Sequence, residues 1–557
     1  MPFLDYLVIL IFSVMILAVG LAFTRSGKNI KSYFAAGGSL PWWLSGLSLF
    51  MSFFSAGTFV VWGSIAYSMG WVAVTIQWMM AISGLLIGFY IAPRWKSANV
   101  LTVGEFLGNL YGQRLKKFYS YIFLILSFLT TGAFLYPVAK LFNVATGFSI
   151  ELSVILLGLL VIAYTTAGGL WAVVITDVLQ FIILFAAVII VVPLALDKIG
   201  GINEFITSAP TDFFQLTSGE YNYIFLFAFL FYNTIFIGGN WAYVQRYTSV
   251  KSPADAKKVG WLFGILYFIS PVLWMLPPMI YRGINQDLTG LENEGAFLMI
   301  CKDVLPRGLL GLMLGGMIFA TASSVNTTLN MSAAVFTNDL FKKLKKETSE
   351  LKLMLVARWS TIVFGLITIG VALMVPRFGG IVEVVLSVGA ITGAPLFAPP
   401  IWALFSKLQT AQSIITATLT SLAINLYFKF LHPILFGIAL NRSEEMLLGV
   451  ISPLVILFLY ELWLRRAKIE KININYTAST SQKTDKAESS GENQFAIRIL
   501  GIALLATGLL IVALGSWADS GRLITIGVGA IVSLLGVGLY NTALKKPTPT
   551  HSPSSKL

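Results

Sequence analysis

Six polar side chains interrupt an apolar run that extends from Leu309 to Leu340: Thr321, Ser323, Ser324, Asn326, Thr327 and Thr328, all within Ala320-Thr-Ala-Ser-Ser-Val-Asn-Thr-Thr328. On a helix, Ala320, Ser323, Ser324 and Thr327 fall at i, i+3, i+4 and i+7 and share one face. Such a face can do one kind of chemistry. A hard cation stripped of water takes oxygen ligands, about five or six of them, and neutral oxygens suit a monovalent ion that must leave again. The hydroxyls of Ser323 and Ser324 and the carbonyl of Ala320 supply part of such a set. The rest must come from a second element with free backbone carbonyls. The competing use is packing, since Ser and Thr bond back to the carbonyl four residues earlier or join neighbouring helices. The density of the stripe favours the ion, provided that a broken helix lies beside it.

The elements that would position this face are membrane helices. Of 557 residues, 57% are hydrophobic and 11% are charged, against about a quarter charged in a soluble protein. Apolar runs of about twenty residues recur along the chain, the pattern of a polytopic helical membrane protein in a lipid bilayer. Helices are required because hydrocarbon cannot satisfy backbone polar groups, and the short alternating segments of a β-barrel do not occur. The pattern predicts an all-α protein with about fifteen spans, at 4–23, 41–66, 71–92, 118–146, 150–167, 176–198, 222–244, 258–281, 305–340, 352–376, 380–406, 411–433, 447–465, 496–516 and 521–541. The second meets Ser55-Ala-Gly-Thr58 about halfway. The seventh meets Ile237-Gly-Gly-Asn-Trp241 in its second half. Interruptions at matching places of two halves mark an inverted-repeat transporter with its substrate near the membrane centre. Gly in membrane helices also serves close packing, but two matched breaks beside polar side chains favour the transporter.

The net charge of +13 follows from loop composition and requires no nucleic acid partner. Basic clusters follow odd-numbered spans: Arg25, Lys28 and Lys31; Arg94, Lys96, Arg114, Lys116 and Lys117; Arg246, Lys251, Lys257 and Lys258; Lys342, Lys343, Lys345 and Lys346; Arg465, Arg466 and Lys468; Lys545 and Lys546. Such clusters mark cytoplasmic loops, so the N-terminus is expected outside and the C-terminus inside. The run Leu4 to Phe23 has no basic residue before it and no small-residue cleavage site, and reads as a retained helix. Cys301 is the sole cysteine, and His432 and His551 are the only histidines. A histidine metal cluster or a Ser-His-Asp triad is thereby disfavoured. No paired carboxylate or nucleophile with a base is evident, which argues against an enzyme. Asp177 begins the sixth expected span. It is either a functional ionisable group at membrane depth or an N-cap at the cytoplasmic edge. Lys140, near the outer end of its span, reads as a snorkelling side chain. Residues 473–493, rich in Ser, Thr, Lys, Glu and Asp, read as disordered, and the tail 547–557 reads the same way.

Several stretches resemble the sodium:solute symporter family. They are Gly168-Gly-Leu-Trp-Ala-Val-Val-Ile-Thr-Asp-Val-Leu-Gln180, Ser323-Ser324 with Ala333-Ala-Val-Phe-Thr-Asn-Asp-Leu340, and Gln245-Arg-Tyr247. The resemblance covers about residues 1–466. It implies the leucine-transporter-like fold, a five-plus-five inverted repeat that couples uptake of a small solute to sodium, the coupling ion. The implied organisation is a first helix and loop at 1–40, a ten-helix transport core at 41–406 and two further helices at 407–471. A cytoplasmic linker at 472–494, two appended helices at 495–545 and a tail at 546–557 follow. Carried over by position, the main sodium site falls on the carbonyls of Met51, Phe54 and Ala320 and the hydroxyls of Ser323 and Ser324. A second sodium site, present in some members, falls on Asp177, Ser323, Asn326 and Thr327, with Asn326 standing where those members carry Ser.

The family's substrate positions fall on Ser55, Thr58, Gln77, Thr130, Asn240, Tyr243 and Leu386. Ser55, Thr58 and Gln77 are similar to sialic acid transporters, but those clamp the carboxylate with an Arg where this chain has Thr130, and a hydroxyl is no substitute for that clamp. Asn240 and Tyr243 are similar to sugar transporters, which place a Gln at the position of Leu386. Proline transporters carry an Asp and a Trp where Phe53 and Gly57 stand. Neutral hydrogen-bonding groups lean towards a sugar, polyol or sugar derivative; sialic acid, another carboxylate or an amino acid are the alternatives, and protons are the alternative coupling ion. Sodium is expected to bind from outside between the second and ninth spans, to complete the substrate pocket and to leave inwards. The compact loops suit a bacterial inner (plasma) membrane protein.

Overall fold

The computed structural model describes residues 2–23, 36–55, 57–342, 349–375, 381–467 and 486–544. Outside these lie residues 472–485 of the expected linker, the tail 546–557, and the basic residues Arg25, Lys28, Lys31, Lys343, Lys345, Lys346, Lys468, Lys545 and Lys546. Apart from two isolated bridges, every regular element among the described residues is helical, as expected where each apolar stretch must close its own backbone hydrogen bonds. In chain order the principal helices are α1 (Phe3–Ala22), α2 (Trp42–Phe53), α3 (Thr58–Met69), α4 (Val72–Ala98), α5 (Val103–Tyr111), α6 (Gln113–Thr146), α7 (Ile150–Ile199), α8 (Tyr223–Gly239) and α9 (Trp241–Thr248). They continue with α10 (Pro253–Ile284), α11 (Leu309–Phe341), α12 (Glu350–Met374), α13 (Ile381–Phe405), α14 (Ala411–Phe436), α15 (Arg442–Arg466), α16 (Lys486–Ser516) and α17 (Arg522–Leu544).

Eleven of the described helices are long and apolar enough to cross a membrane, or thirteen if α2 with α3 and α8 with α9 each form one span. The expected count of about fifteen differs at α7; α13, a helix of 25 residues, is itself long enough to cross. Where spans at 150–167 and 176–198 are expected with a break between them, α7 runs on as one helix of 50 residues. At 1.5 Å per residue that is about 75 Å, more than twice the hydrocarbon thickness. Gly168 and Gly169 do not end it, because a helical Gly costs only about 1 kcal/mol relative to Ala and neighbouring helices pack along its length. At the other end of the chain, α16 begins at Lys486, inside the segment expected as linker. Asn493 anchors its start by donating to the Ser39 carbonyl at 3.2 Å.

The polar-striped helix α11 lies at the centre. Its most apolar window is buried throughout, whereas that of α17 is 28% buried. It packs against α1, α2, α6, α7 and α12. Its start is fixed from another helix. The Asp5 carboxylate of α1 accepts the amides of Gly308 at 2.7 Å and Gly311 at 3.1 Å, which are among the donors that a helix N-terminus leaves unpaired. Gly311 permits the approach, since a Cβ there would stand 2.3 Å from the Asp5 carbonyl oxygen. Lys140 is paired rather than snorkelling: it donates to the nearly buried Glu294 at 2.6 Å.

Asp5→Ala leaves two buried amides without their acceptor and is expected to cost about 1–3 kcal/mol, read as a lower thermal midpoint in detergent. Asp5→Asn keeps an acceptor oxygen and should recover most of that loss. An unchanged midpoint in Asp5→Ala would contradict the cross-helix cap.

Candidate functional site

Helix α2 stops because its next amides find other acceptors. The Ser55 amide donates to Thr58 Oγ1 at 3.1 Å instead of to the Met51 carbonyl, its partner in an unbroken helix. The Gly57 amide takes Ser55 Oγ at 3.2 Å, and the Thr58 amide takes the Ser55 carbonyl at 2.9 Å rather than that of Phe54. Short hydroxyl side chains compete with the helical ladder in this way. Phe54 is extended, with ψ of 121°, and α3 leaves at 60° to α2. The carbonyls of Met51 and Phe54 thereby lose their regular helical donors. The serine face of α11 lies against this break: Ser324 Oγ donates to the Ser52 carbonyl at 3.0 Å. Met51, Phe54, Ala320, Ser323 and Ser324 are all buried.

Asp177 is not an N-cap. It lies inside α7, whose cap is Ser149, and its side chain is fully buried. Ser48 Oγ donates to its Oδ2 at 2.5 Å, Ser323 Oγ donates to its Oδ1, and Arg246 Nη2 stands 3.7 Å from Oδ2. Arg246 is equally buried. Its Nε donates to Ser48 Oγ at 2.8 Å, and its Nη2 donates to Thr327 Oγ1 at 2.9 Å and to Ser52 Oγ at 3.3 Å. Its carbonyl accepts Ser45 Oγ at 2.8 Å. One carboxylate and one guanidinium are thus joined through hydroxyls where α2, α7, α9 and α11 meet. Asn326, expected beside Asp177 and Thr327, has neither amide atom hydrogen-bonded and stands outside this network.

Arg246 is the residue that sequence reasoning misplaces. It is counted there among loop charges, yet it is one of the largest fully buried side chains. The serines of α2 are missed outright. A signal was present: Ser45, Ser48 and Ser52 fall at i, i+3 and i+7 of one helix, a stripe that answers the one on α11.

The second break lies at Asn240, between α8 and α9, with a bend of 62°. Asn240 is extended, and its Oδ1 accepts the Ala242 amide at 3.1 Å, capping the second half. Gly239 lets the break touch α13, since a Cβ would stand 2.7 Å from the Phe397 carbonyl oxygen. Beside it a cavity is lined by Thr130, Asn240, Tyr243, Phe236 and Trp241, and farther along by Gly104, Ser120 and Asp339. Asp339 accepts Thr102 Oγ1 at 2.7 Å and pairs with Lys116 at 2.9 Å. Thr130, Asn240 and Tyr243 therefore share one cavity. Ser55, Thr58 and Gln77 do not line it. Ser55 and Thr58 are spent on the first break, and Gln77 donates back to the Ala73 carbonyl at 3.2 Å. The two regions are linked by the ring of Phe53, whose centroid is 4.4 Å from that of Tyr243.

Comparison with known proteins gives a consistent picture. A model of the sodium:solute symporter family matches residues 33–420. The chain is 27% identical to a sodium/glucose cotransporter of Vibrio parahaemolyticus over 501 residues, which cover 82% of this chain and 90% of that one. It is 28% identical to a sodium/sialic acid symporter of Proteus mirabilis over 380 residues, 65% of this chain and 76% of that one. Its fold matches a solved Na+-coupled sialic acid symporter in a substrate-bound outward-open state, with a TM-score of 0.72 at 23% identity, covering 83% of this chain and 98% of that one.

Removing one partner of the buried pair leaves the other charge unanswered. Asp177→Asn and Arg246→Gln are each expected to cost about 3–5 kcal/mol. The double variant should cost clearly less than the sum of the two, because the pair disappears together. Additive losses in thermal or denaturant unfolding would show that the two charges do not interact.

Proposed function

The chain belongs to the sodium:solute symporter family, and from that premise we propose that it imports a small neutral polyhydroxylated solute, a sugar, polyol or sugar derivative, by alternating access. It is a membrane transporter and not an enzyme, and sodium is its coupling ion. The ion binds between the first break and the serine face of α11, at the carbonyls of Met51, Phe54 and Ala320 and the hydroxyls of Ser323 and Ser324. The observation that carries this assignment is the Ser324 bond to the Ser52 carbonyl across the break, beside backbone that the Ser55 amide has vacated. Freed carbonyls of a discontinuous helix are the usual ion ligands in such carriers.

Sodium ties α2 to α11, and Phe53 passes the position of α2 to Tyr243 and so to the cavity wall. Each ligand then favours the binding of the other. The solute lies against Thr130, Asn240 and Tyr243; Ser55, Thr58 and Gln77 join it only if the first break rearranges. The cavity supports a neutral solute. Among the described residues no Lys or Arg lines it and its one charged member is the acidic Asp339, while rings of Tyr243, Phe236 and Trp241 offer faces for the apolar side of a sugar. A carboxylate would ask for a cationic partner that this wall lacks. The cavity runs towards the end of α11 that precedes the basic loop, the side placed in the cytoplasm. That orientation, with the N-terminus outside a bacterial plasma membrane, is supported by Arg94, Lys96, Arg114, Lys116 and Lys117 after α4 and by Arg465 and Arg466 at the end of α15, following the positive-inside rule.

Ser323→Ala with Ser324→Ala should lower sodium-dependent uptake into proteoliposomes by at least about tenfold, the loss expected from removing two ligands worth about 1 kcal/mol each. Uptake unchanged in the double variant overturns the site. For the substrate, thermal unfolding against sugars, polyols, sugar acids and amino acids, in sodium and in potassium, reads out linked binding. A neutral sugar or polyol is expected to raise the midpoint in sodium only. A rise with sialic acid and none with neutral sugars would reverse the substrate assignment.

A further inference from the structure

We propose that a groove between α8, α13 and α15 binds one phosphatidylethanolamine molecule, and that this lipid supports a wall of the solute cavity. The groove holds about 360 Å3, within the range of about 300–1,000 Å3 of small-molecule sites. Its polarity changes along its length. Ala398 of α13 and Leu454 of α15 line it together with Ile235 of α8. Seven residues further along the two helices, about 10 Å of rise, stand Phe405 and Glu461, with Trp402 and Ser406 also in the wall. Helix α13 ends at Phe405 and α15 at Arg466, so this end lies near the membrane surface, where basic residues gather. A groove that is apolar at depth and charged at the surface fits an amphiphile with its chain inwards.

The charged groups specify the headgroup. The Glu461 side chain is 13% exposed. Its Oε2 accepts Trp402 Nε1 at 2.7 Å, and its Oε1 accepts Arg465 Nη2 at 2.8 Å. Each carboxylate oxygen has two lone-pair sites, so each can take one further donor, which a lipid ammonium supplies. The Arg465 side chain is 64% exposed, and the Arg94 guanidinium stands over the Phe405 ring, 4.2 Å from its centroid. Guanidinium groups at this rim suit the lipid phosphate. Acid and guanidinium side by side match a headgroup whose ammonium and phosphate are joined by a two-carbon link. A choline headgroup has no N–H to donate to Glu461, and a glycerol headgroup brings no cation.

Helix α13 has reason to need support. It contains Pro395, Pro399 and Pro400, and each proline removes an amide from the helical ladder. Asn425 Nδ2 answers the Ile391 carbonyl, which Pro395 leaves open, at 3.1 Å. The carbonyls of Pro395 and Leu396 lose their regular donors to Pro399 and Pro400. One side of this weakened stretch faces the solute cavity through Leu396, Phe397 and Pro400; the other faces the groove through Ala398 and Trp402. A lipid seated in the groove therefore braces α13 from behind. This inference depends on neither the coupling ion nor the solute.

The test is native mass spectrometry of the full-length protein extracted from vesicles that hold phosphatidylethanolamine, phosphatidylcholine and phosphatidylglycerol in equal amounts. The wild type is expected to retain one phosphatidylethanolamine per chain. Glu461→Gln should lower that retention at least about tenfold, the loss expected from a hydrogen bond to a charged group. Leu454→Trp, which fills the apolar part and leaves the headgroup residues in place, should lower it as well. In vesicles the wild-type thermal midpoint should be higher with phosphatidylethanolamine than with phosphatidylcholine, and Leu454→Trp should show no such difference. Retention of all three lipids alike, or of none, overturns the proposal, and this arm stands even if Glu461→Gln fails to fold. Undiminished retention by a folded Leu454→Trp overturns it too, because the lipid then lies outside the groove.

Discussion

The contact between Ser324 and the carbonyl of Ser52 is the point on which the rest of the site turns. A helix cannot break in the hydrocarbon unless its freed backbone groups find partners. At the first break the amides are answered locally, by Thr58 Oγ1, Ser55 Oγ and the Ser55 carbonyl. The carbonyls are left, and they face a helix carrying hydroxyls. One element has oxygens to spare because it is interrupted, and the other has them because its sequence is polar on one face. Neither alone reaches the five or six ligands that a bare cation needs; in the proposed site the two together supply five. In that proposal the site is also a joint between the two elements, through which ion binding would become movement.

The buried pair of Asp177 and Arg246 serves a different purpose. Isolated charges would be costly at this depth, and a paired one is at best a modest source of stability. Its use is to fix which elements stay together. Hydroxyls of Ser45, Ser48, Ser52, Ser323 and Thr327 surround the pair, so α2, α7, α9 and α11 share one polar centre inside an apolar bundle. The proposed main ion site lies at its edge and has Ser323 in common with it. Permanent and exchangeable charge thus lie side by side. Asp5 plays a comparable part at the start of α11, holding the central helix from α1 without moving charge through it.

The sequence shows most clearly what is periodic or local. The breaks are visible because Ser55-Ala-Gly-Thr58 and Ile237-Gly-Gly-Asn-Trp241 interrupt apolar runs at matching places, beside polar side chains. The stripe from Ala320 to Thr327 is visible because its spacing is that of a helix face. What depends on distant partners is hidden. Arg246 follows an apolar span and looks like any loop cation until Asp177 and Ser48 are brought to it. The Asp5 cap joins residues 303 apart in the chain. The continuity of α7 through Gly168 and Gly169 is set by the helices packed along it, which outweigh a local preference for ending. The same limit applies to Ser55, Thr58 and Gln77: residue type marks them as able to bind a solute, while the geometry of the break uses their hydrogen bonds elsewhere.

Hydrogen–deuterium exchange across residues 51–58, compared in sodium and in potassium, tests the central claim most directly, because the amides of that segment report whether α2 is held against α11. The account predicts slower exchange in sodium than in potassium for the wild type, and no difference between the two ions in Ser324→Ala. Equal exchange in both ions for the wild type would mean that sodium does not bind at the break, and the coupling between the two helices would have to be sought elsewhere.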